Sequence, residues 1–388
     1  MKIGCISLPR YPIRQPYAGG MEAFTHQFIE AMAMRGHEVV LCAHKDSDTT
    51  YCTLIPYEEI SFWTLHPEDA QAANVSTMKK FYTYWNALEQ LAEHDVDIIA
   101  NHSLHYLPFE FAKRLELPIV TTAHLGFWAP YLTGWLLTKD YKHASWIAIS
   151  EFIADQFQLA MPEARITTIY NWVNTNKRNC KRDWGEGERP NHPFGERFDE
   201  KERSENPITL HERPLVRVGR IVQEKWLYDA IQIAKMSWRE LHIAGKVPEY
   251  GSEYFDTKIL PELWGSIHYH GSLSQREVKM MMCDAYALLF TSLWEEPFGL
   301  TLIEALACWC PIVAYAWGSV EEIVQPWTGF VVPSWNIFEA LEAVENVEQI
   351  DTSVSKRIAA EQFSWHHSMN LYENYYTQMI ALASTPIT

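Results

Sequence analysis

The strongest constraint on the fold is an alternation, repeated along the chain, between short apolar runs and longer segments with helical spacing. Residues 2–8, 38–43, 97–101, 119–123, 146–149 and 166–170 read as strands. A helix is expected from about Met21, where Phe24, Phe28, Ala31 and Met32 recur at helical spacing and Gly36 sits where a C-terminal cap belongs. Others are expected near 107–115, 132–141 and 151–159. Strands joined through helices run parallel, with the helices covering both faces of the sheet.

The same alternation begins again with strands at 215–219, 240–244, 267–270, 285–290, 312–315 and 330–332, and helices at 224–235, 275–282 and from Leu300. From about 171 to 213 the sequence is charged, contains Pro and Gly, and has little periodicity, as expected of a linker with a long loop. A chain of 388 residues is too long for one ordinary core. The expectation is two doubly wound α/β domains, over 1–172 and 214–365, joined by 173–213. Residues 51–93 are less regular; the amphipathic stretch 76–93 carries Lys79, Lys80, Phe81, Tyr82, Tyr84 and Trp85. It reads either as a surface helix burying its aromatics on the sheet or as a face for an acceptor or a membrane.

Hydrophobic residues make up 47% of the chain and charged ones 21%, in the range of soluble globular proteins. The net charge of -17 works against nucleic acid and leaves at most weak peripheral contact with an anionic membrane. Any phosphate site must therefore be built from a few local cations. Seven cysteines without a C-x-x-C pair suggest neither a disulfide framework nor a zinc site, and fit a reducing cytoplasm. The first residues enter a strand without a cleavable signal pattern, and no apolar run approaches the roughly 18 to 20 residues that span a bilayer. A cytoplasmic location is expected.

The chemistry gathers at residues 293–308. Glu296, Pro297, Phe298 and Gly299 precede a helix, Leu300 onward, that is apolar nearly all round with Glu304 as its only charge. A carboxylate in such a setting needs a partner, structural or ligand. The start of a helix accepts an anion through its backbone N–H groups and dipole. Two carboxylates flanking that start suit a ligand with hydroxyls on both sides of a phosphate, the layout of a nucleotide sugar. Arg220 follows the first strand of the second half and Lys225 lies in the next helical segment, so both can converge on a diphosphate at the carboxyl end of the sheet. His124 ends the 119–123 strand, and Gly19 and Gly20 occupy the first strand-to-helix turn. Taken singly, each has a plainer reading: a helix cap, surface cations, a structural histidine. Asp46-Ser47-Asp48 and Asp95-Val96-Asp97 have the form of metal-binding triplets but read better as turn and capping residues. No G-x-G-x-x-G fingerprint supports a dinucleotide site.

Together these residues resemble the retaining GT-B glycosyltransferases of glycosyltransferase family 4. The matching pieces are Gly19-Gly20-Met21-Glu22, Arg35-Gly36-His37-Glu38-Val39, His124, Ile169-Tyr170-Asn171-Trp172-Val173-Asn174, Val218-Gly219-Arg220 with Lys225, Ile243-Ala244-Gly245, and Glu296-Pro297-Phe298-Gly299-Leu300 through Glu304-Ala305. They follow the family's order over nearly the whole chain.

The resemblance implies two Rossmann-like domains facing across a cleft, with a final helix, about 366–388, crossing back to the N-terminal domain. It implies that Arg220 and Lys225 hold the donor diphosphate, helped by backbone N–H groups near Gly19 and Gly20 and at Gly299, Leu300 and Thr301. Phe298 would line the same donor site. Glu296 would bond the sugar hydroxyls and Glu304 the ribose, and His124 would lie beside the transferred sugar. Catalysis would rest on Glu296, His124, Arg220 and Lys225, with no cofactor and no metal. The donor would be a nucleotide diphosphate hexose, UDP-linked first and GDP-linked next. The acceptor would be a glycan, lipid-linked or small molecule, with Phe127, Trp128 and Tyr131 as its aromatic contacts.

Four positions depart from the family pattern: Trp226 and Trp172 where glycine is usual, Asn174 where aspartate is usual, and Leu125 where a polar residue is common. The alternatives are a GT-B sugar-nucleotide epimerase or phosphorylase, or a non-catalytic sugar-nucleotide-binding protein.

Overall fold

The computed structural model describes residues 1–15, 17–58, 72–127, 129–173, 193–194 and 209–384, with the backbone alone for 72–79. Among them, every strand pairing is parallel, as strands separated by helices require. The chain divides into two compact units, Met1–Ile169 with Met369–Thr388, and Tyr170–Ser368. The segment read as a linker, 173–213, lies mostly outside the described residues.

The first unit holds seven strands: β1 (Lys2–Ile6), β2 (Glu38–Ala43), β3 (Thr53–Pro56), β4 (Ile98–Asn101), β5 (Ile119–Ala123), β6 (Ala144–Ala148) and β7 (Ile166–Thr168). Their order is β3-β2-β1-β4-β5-β6-β7. The winding reverses between β1 and β4, where Cys5 lies opposite Ala100 on one side and Leu41 on the other. Such a reversal opens a crevice at the carboxyl ends of the strands. β3 was not expected: it is a four-residue strand at the edge, with Ile55 its one buried side chain, so it has no apolar run to betray it.

The amphipathic 76–93 stretch lies in the Ala72–Leu91 helix and runs on into the tight turn Ala92–His94. Tyr84, Ala87, Leu88 and Leu91 are buried while Glu89 and Gln90 are exposed, which is the sheet-packing arrangement. Gly4 leaves room for Leu91, whose Cδ2 would stand 3.0 Å from an added Cβ.

The C-terminal helix, Trp365–Ala383, contributes its residues from Met369 onward to this first unit. Tyr372 and Tyr376 stack edge-on or tilted against Phe28, with centroids at 5.6 and 6.1 Å. Glu373 is bonded by Arg35 at 2.9 Å and His37 at 3.0 Å. Helix periodicity on the Gly20–Met34 side and on the C-terminal side thus meets in one apolar face rimmed by charge.

The second unit holds β8 (Leu215–Val218), β9 (Leu241–Ala244), β10 (Ile267–Tyr269), β11 (Ala287–Phe290), β12 (Ile312–Tyr315) and β13 (Gly329–Val332), in the order β10-β9-β8-β11-β12-β13. Its reversal lies between β8 and β11. The helix expected from 224 starts instead at Leu227, because residues 223–225 form a tight turn and Trp226 adopts a left-handed conformation, φ 42°. The stretch after β9 contains short helical turns from Glu249 to Glu262. Cys5, Cys42, Cys52, Cys308 and Cys310 are free thiols; Cys283 is disulfide-bonded, contrary to the expectation from cysteine spacing. No helix among the described residues is long and apolar enough to cross a membrane.

Just past β9, Gly245 has φ 158°, and a Cβ there would meet the Gly219 carbonyl oxygen at 1.8 Å. The two backbones are held together on either side of this contact, where Gly219 donates its N–H to the Ala244 carbonyl and Ile221 donates to the Lys246 carbonyl, both at 3.0 Å. Gly245→Ala should therefore destabilise the second unit by at least about 2 kcal/mol through strain and displaced backbone. Urea unfolding should show a lower midpoint; an unchanged midpoint would mean that this contact can relax.

Candidate active site

In the second unit the loops after β8 and β11 flank the reversal point, and they deliver the charged residues. Lys225, in the turn after β8, forms a short ion pair through Nζ with Glu296 Oε2, in the loop after β11. Both side chains are only about one-sixth exposed, at 15% and 16%. Burial holds the Lys225 ammonium below its ordinary pKa, and the Glu296 carboxylate opposes that shift.

The loops are tied together by backbone. Leu293 donates to the Glu224 carbonyl at 2.9 Å and Thr291 Oγ1 to the Trp226 carbonyl at 2.9 Å. Glu296 is held from behind by Ser319, whose N–H and hydroxyl both donate to its carbonyl at 3.0 Å. Gly318, φ 65°, makes that possible, since a Cβ there would stand 2.4 Å from the Glu296 nitrogen.

Beneath this pair lies Arg217, which sequence reasoning missed. It sits inside β8, only 2% exposed, and donates to the Val218 carbonyl at 2.7 Å and the Lys225 carbonyl at 3.1 Å. Burial brings its pKa down to about 10, with Tyr254 and Glu296 opposing. The signal available was a lone cation within an otherwise apolar strand, Leu215-Val216-Arg217-Val218.

Arg220 is exposed, and its guanidinium donates to the Tyr250 hydroxyl. Glu304 is half-buried on the Leu300–Ala307 helix, whose Leu302, Ile303, Ala305, Leu306 and Ala307 are buried. Gly299 caps that helix and accepts from the Leu302 N–H at 2.9 Å, while the N–H groups of Leu300 and Thr301 come too early in the helix for an intrahelical acceptor. Phe298 is buried, against Tyr170 at 5.9 Å and Phe363 at 6.0 Å, so its ring is a packing element.

In the first unit, His124 follows β5 and is 7% exposed. Its Nε2 lies 3.2 Å from Nδ1 of His102, which follows the neighbouring strand β4. The Phe24 ring lies edge-on to both, at 4.4 and 5.1 Å. Burial pushes His124 down to about 3 and His102 well below its ordinary value, with repulsion from a protonated His124 further disfavouring the charged His102, so both imidazoles are neutral at pH 7. His102 was also missed; the rule that singled out His124, a histidine ending a parallel strand, applies equally to it. Gly19 and Gly20 begin the Gly20–Met34 helix, beside the buried Glu22.

Phe127 is half-buried against Phe157 at 5.4 Å. Tyr131 is fully buried among Trp146 and Phe157, which places it in the core and not on an acceptor surface. Trp128 lies outside the described residues. Asp48 accepts from Thr50 and lies 3.3 Å from His26, whose other nitrogen is 3.1 Å from the Tyr17 hydroxyl. Asp97 accepts from the Lys2 N–H at 2.6 Å. Both acidic triplets therefore serve local hydrogen bonding.

Residues 18–177 match the family model of Glycosyltransferase Family 4, and residues 198–362 match that of Glycosyl transferases group 1; between them they span most of the chain. The chain belongs to glycosyltransferase family 4. It is a glycosyltransferase of GT-B type, and both of its parallel α/β units are the Rossmann-like domains of that fold.

Solved structures of low identity share the fold. A glycosyltransferase from Rickettsia africae ESF-5 superposes with a TM-score of 0.71 at 16% identity, covering 98% of each chain. HepE from Anabaena, solved with UDP-glucose, gives 0.69 at 14%, covering 97% of this chain and all of that one. Sucrose-phosphate synthase from Thermosynechococcus elongatus gives 0.70 at 17%, covering 98% and 99%. No curated protein sequence matches the chain significantly.

The left-handed backbone at Trp226 accounts for the glycine that family 4 usually carries there. Here the indole stays because its N–H donates to Asp229 at 3.0 Å and its ring packs on Trp335 at 4.8 Å. Trp172 is buried, Leu125 is 38% exposed, and Asn174 lies outside the described residues.

The two neutral histidines make the first unit acid-sensitive. An unfolded histidine binds a proton below about pH 6.5, whereas folded His124 does so only near 3. Its contribution is thus complete above pH 6.5 and lost as pH falls toward 3. Between pH 7 and pH 5, His124 alone should remove roughly 2 kcal/mol. Urea titrations should show this loss, and His124→Gln should flatten the pH slope; an identical slope in the variant would show that His124 is not the group responsible.

Proposed function

We propose that this chain transfers a hexose-type sugar from a nucleotide diphosphate sugar, UDP-linked in preference and GDP-linked next, to a hydroxyl of a glycan, lipid-linked or small-molecule acceptor, with retained anomeric configuration and no metal ion. The observation that carries this reading is the Lys225–Glu296 pair at the reversal point of the second sheet. It sets a cation and a carboxylate side by side at the mouth of a helix, the arrangement needed to grip a diphosphate and a sugar hydroxyl together. HepE, which shares the fold, was solved with UDP-glucose, and this supports the uridine preference.

In the proposed reaction the bond between the anomeric carbon and the diphosphate oxygen breaks, leaving an oxocarbenium-like sugar. The acceptor oxygen bonds to that carbon from the face the leaving group occupied, and its proton passes to the departing diphosphate. Lys225, Arg220 and the first-turn N–H groups at Leu300 and Thr301 stabilise the charge that develops on the diphosphate. Glu296 holds the sugar hydroxyls, Glu304 the ribose, and Arg217 keeps the Lys225 loop in place. The first unit is assigned the acceptor, with His124 as a neutral hydrogen-bonding imidazole.

The test is thermal unfolding, in chelator, with UDP, GDP, ADP and TDP and their sugar conjugates. At about a hundred times its Kd, the right nucleotide stabilises the native protein by roughly 2.7 kcal/mol, and Lys225→Ala should lose that response. NMR of the product should show the donor's anomeric configuration retained. No response from a folded protein to any diphosphate, or an inverted product, would overturn the reading.

A further inference from the structure

A second cluster of ionisable side chains lies in the second unit, at the β9–β10 edge of the sheet, and none of the residues above belongs to it. Side chains in a strand alternate between faces, so Glu240 and His242 share a face, as do His268 and His270. The parallel register sets His268 beside His242. The result is a Glu/His/His group whose ligand atoms, one each from Glu240, His242 and His268, all lie within 4.8 Å of one another.

His242 is 5% exposed and oriented at both nitrogens. Its Nδ1 is 2.8 Å from Nε2 of His270, and its Nε2 faces Glu240 Oε2 at 3.6 Å. The Phe194 ring packs on it at 4.3 Å. A ligating histidine held through its second nitrogen, with a carboxylate and another imidazole converging on the first, is the usual architecture of a transition-metal site.

We propose that Glu240, His242 and His268 bind a divalent transition metal ion of the zinc class, with His270 as the positioning residue that fixes the His242 imidazole. Zn–N bonds of about 2.0–2.1 Å put tetrahedral ligand atoms roughly 3.3 Å apart, so the three need to draw in only slightly, and Glu240, at the exposed rim, has the freedom to do so. Two imidazoles and one carboxylate exclude magnesium and calcium, which take oxygen ligands, and leave one position for water. The site lies on strands β9 and β10, whereas the donor residues follow β8 and β11, so its metal is structural or regulatory and takes no part in the transfer.

The sequence carries neither a cysteine pair nor a contiguous metal motif here. Here the ligands come as two H-x-H or E-x-H pairs 28 residues apart, which only the register joins.

The test is calorimetry with Zn2+ on the full chain, untagged and freed of metal by chelator, with the visible spectrum of the Co2+ form as a second readout. One ion per chain should bind with micromolar or tighter affinity. His268→Ala, at the half-buried edge, should weaken binding by about 100-fold and His270→Ala by about 10-fold, while the metal-free melting temperature and the stabilisation by nucleotide stay as in the parent. Absence of Zn2+ binding would overturn the proposal, as would binding that His268→Ala leaves unchanged, because the ion would then sit elsewhere. A loss of binding accompanied by a lower metal-free melting temperature would also count against it, unless Glu240→Gln, on an exposed side chain, weakens binding without that drop.

Discussion

The second unit depends on keeping three charges together at one end of a mostly apolar sheet. Arg217, Lys225 and Glu296 are each largely withdrawn from water, and removing any one would leave an uncompensated neighbour. Their arrangement explains several backbone oddities at once: the left-handed Trp226 that turns Lys225 inward, the glycine at 318 that lets Ser319 reach the Glu296 carbonyl, and the touching backbones at Gly219 and Gly245. Strain collected at one end of one sheet is what a prearranged binding site requires.

The first unit solves a different problem with the same winding. Its reversal point holds two neutral imidazoles against Phe24 in place of a charged pair. Neutral histidines can accept or donate hydrogen bonds without the desolvation cost of an ion. The helix from Met369 onward closes this unit through Tyr372, Tyr376 and Glu373, so the end of the sequence completes the core that its beginning starts.

The architecture was legible because parallel sheets buried on both faces leave near-continuous apolar runs; among the described residues, edge strand β3, four residues with one buried side chain, was the strand not read from the sequence. The residues of the loops after β8 and β11 were legible through local chemistry: a proline and a glycine before an apolar helix, a cation after a strand. Their pairing was not. Lys225 and Glu296 are 71 residues apart, and only the strand order β8–β11 brings them together. Arg217 and His102 were missed for a different reason: a cation inside a strand and a histidine after one fit packing as well as function, and the chain has 16 histidines. Tyr131 misled because an aromatic residue in a polar region reads as a contact surface until burial shows it in the core.

Donor binding by the loops after β8 and β11 is the central proposal. Hydrogen exchange followed by mass spectrometry, with and without UDP, tests this directly. Slowed exchange in peptides covering 219–227 and 293–302, absent when Lys225→Ala replaces the parent protein, is the expected result. Protection that leaves both peptides unchanged, or that persists undiminished in the variant, would contradict it.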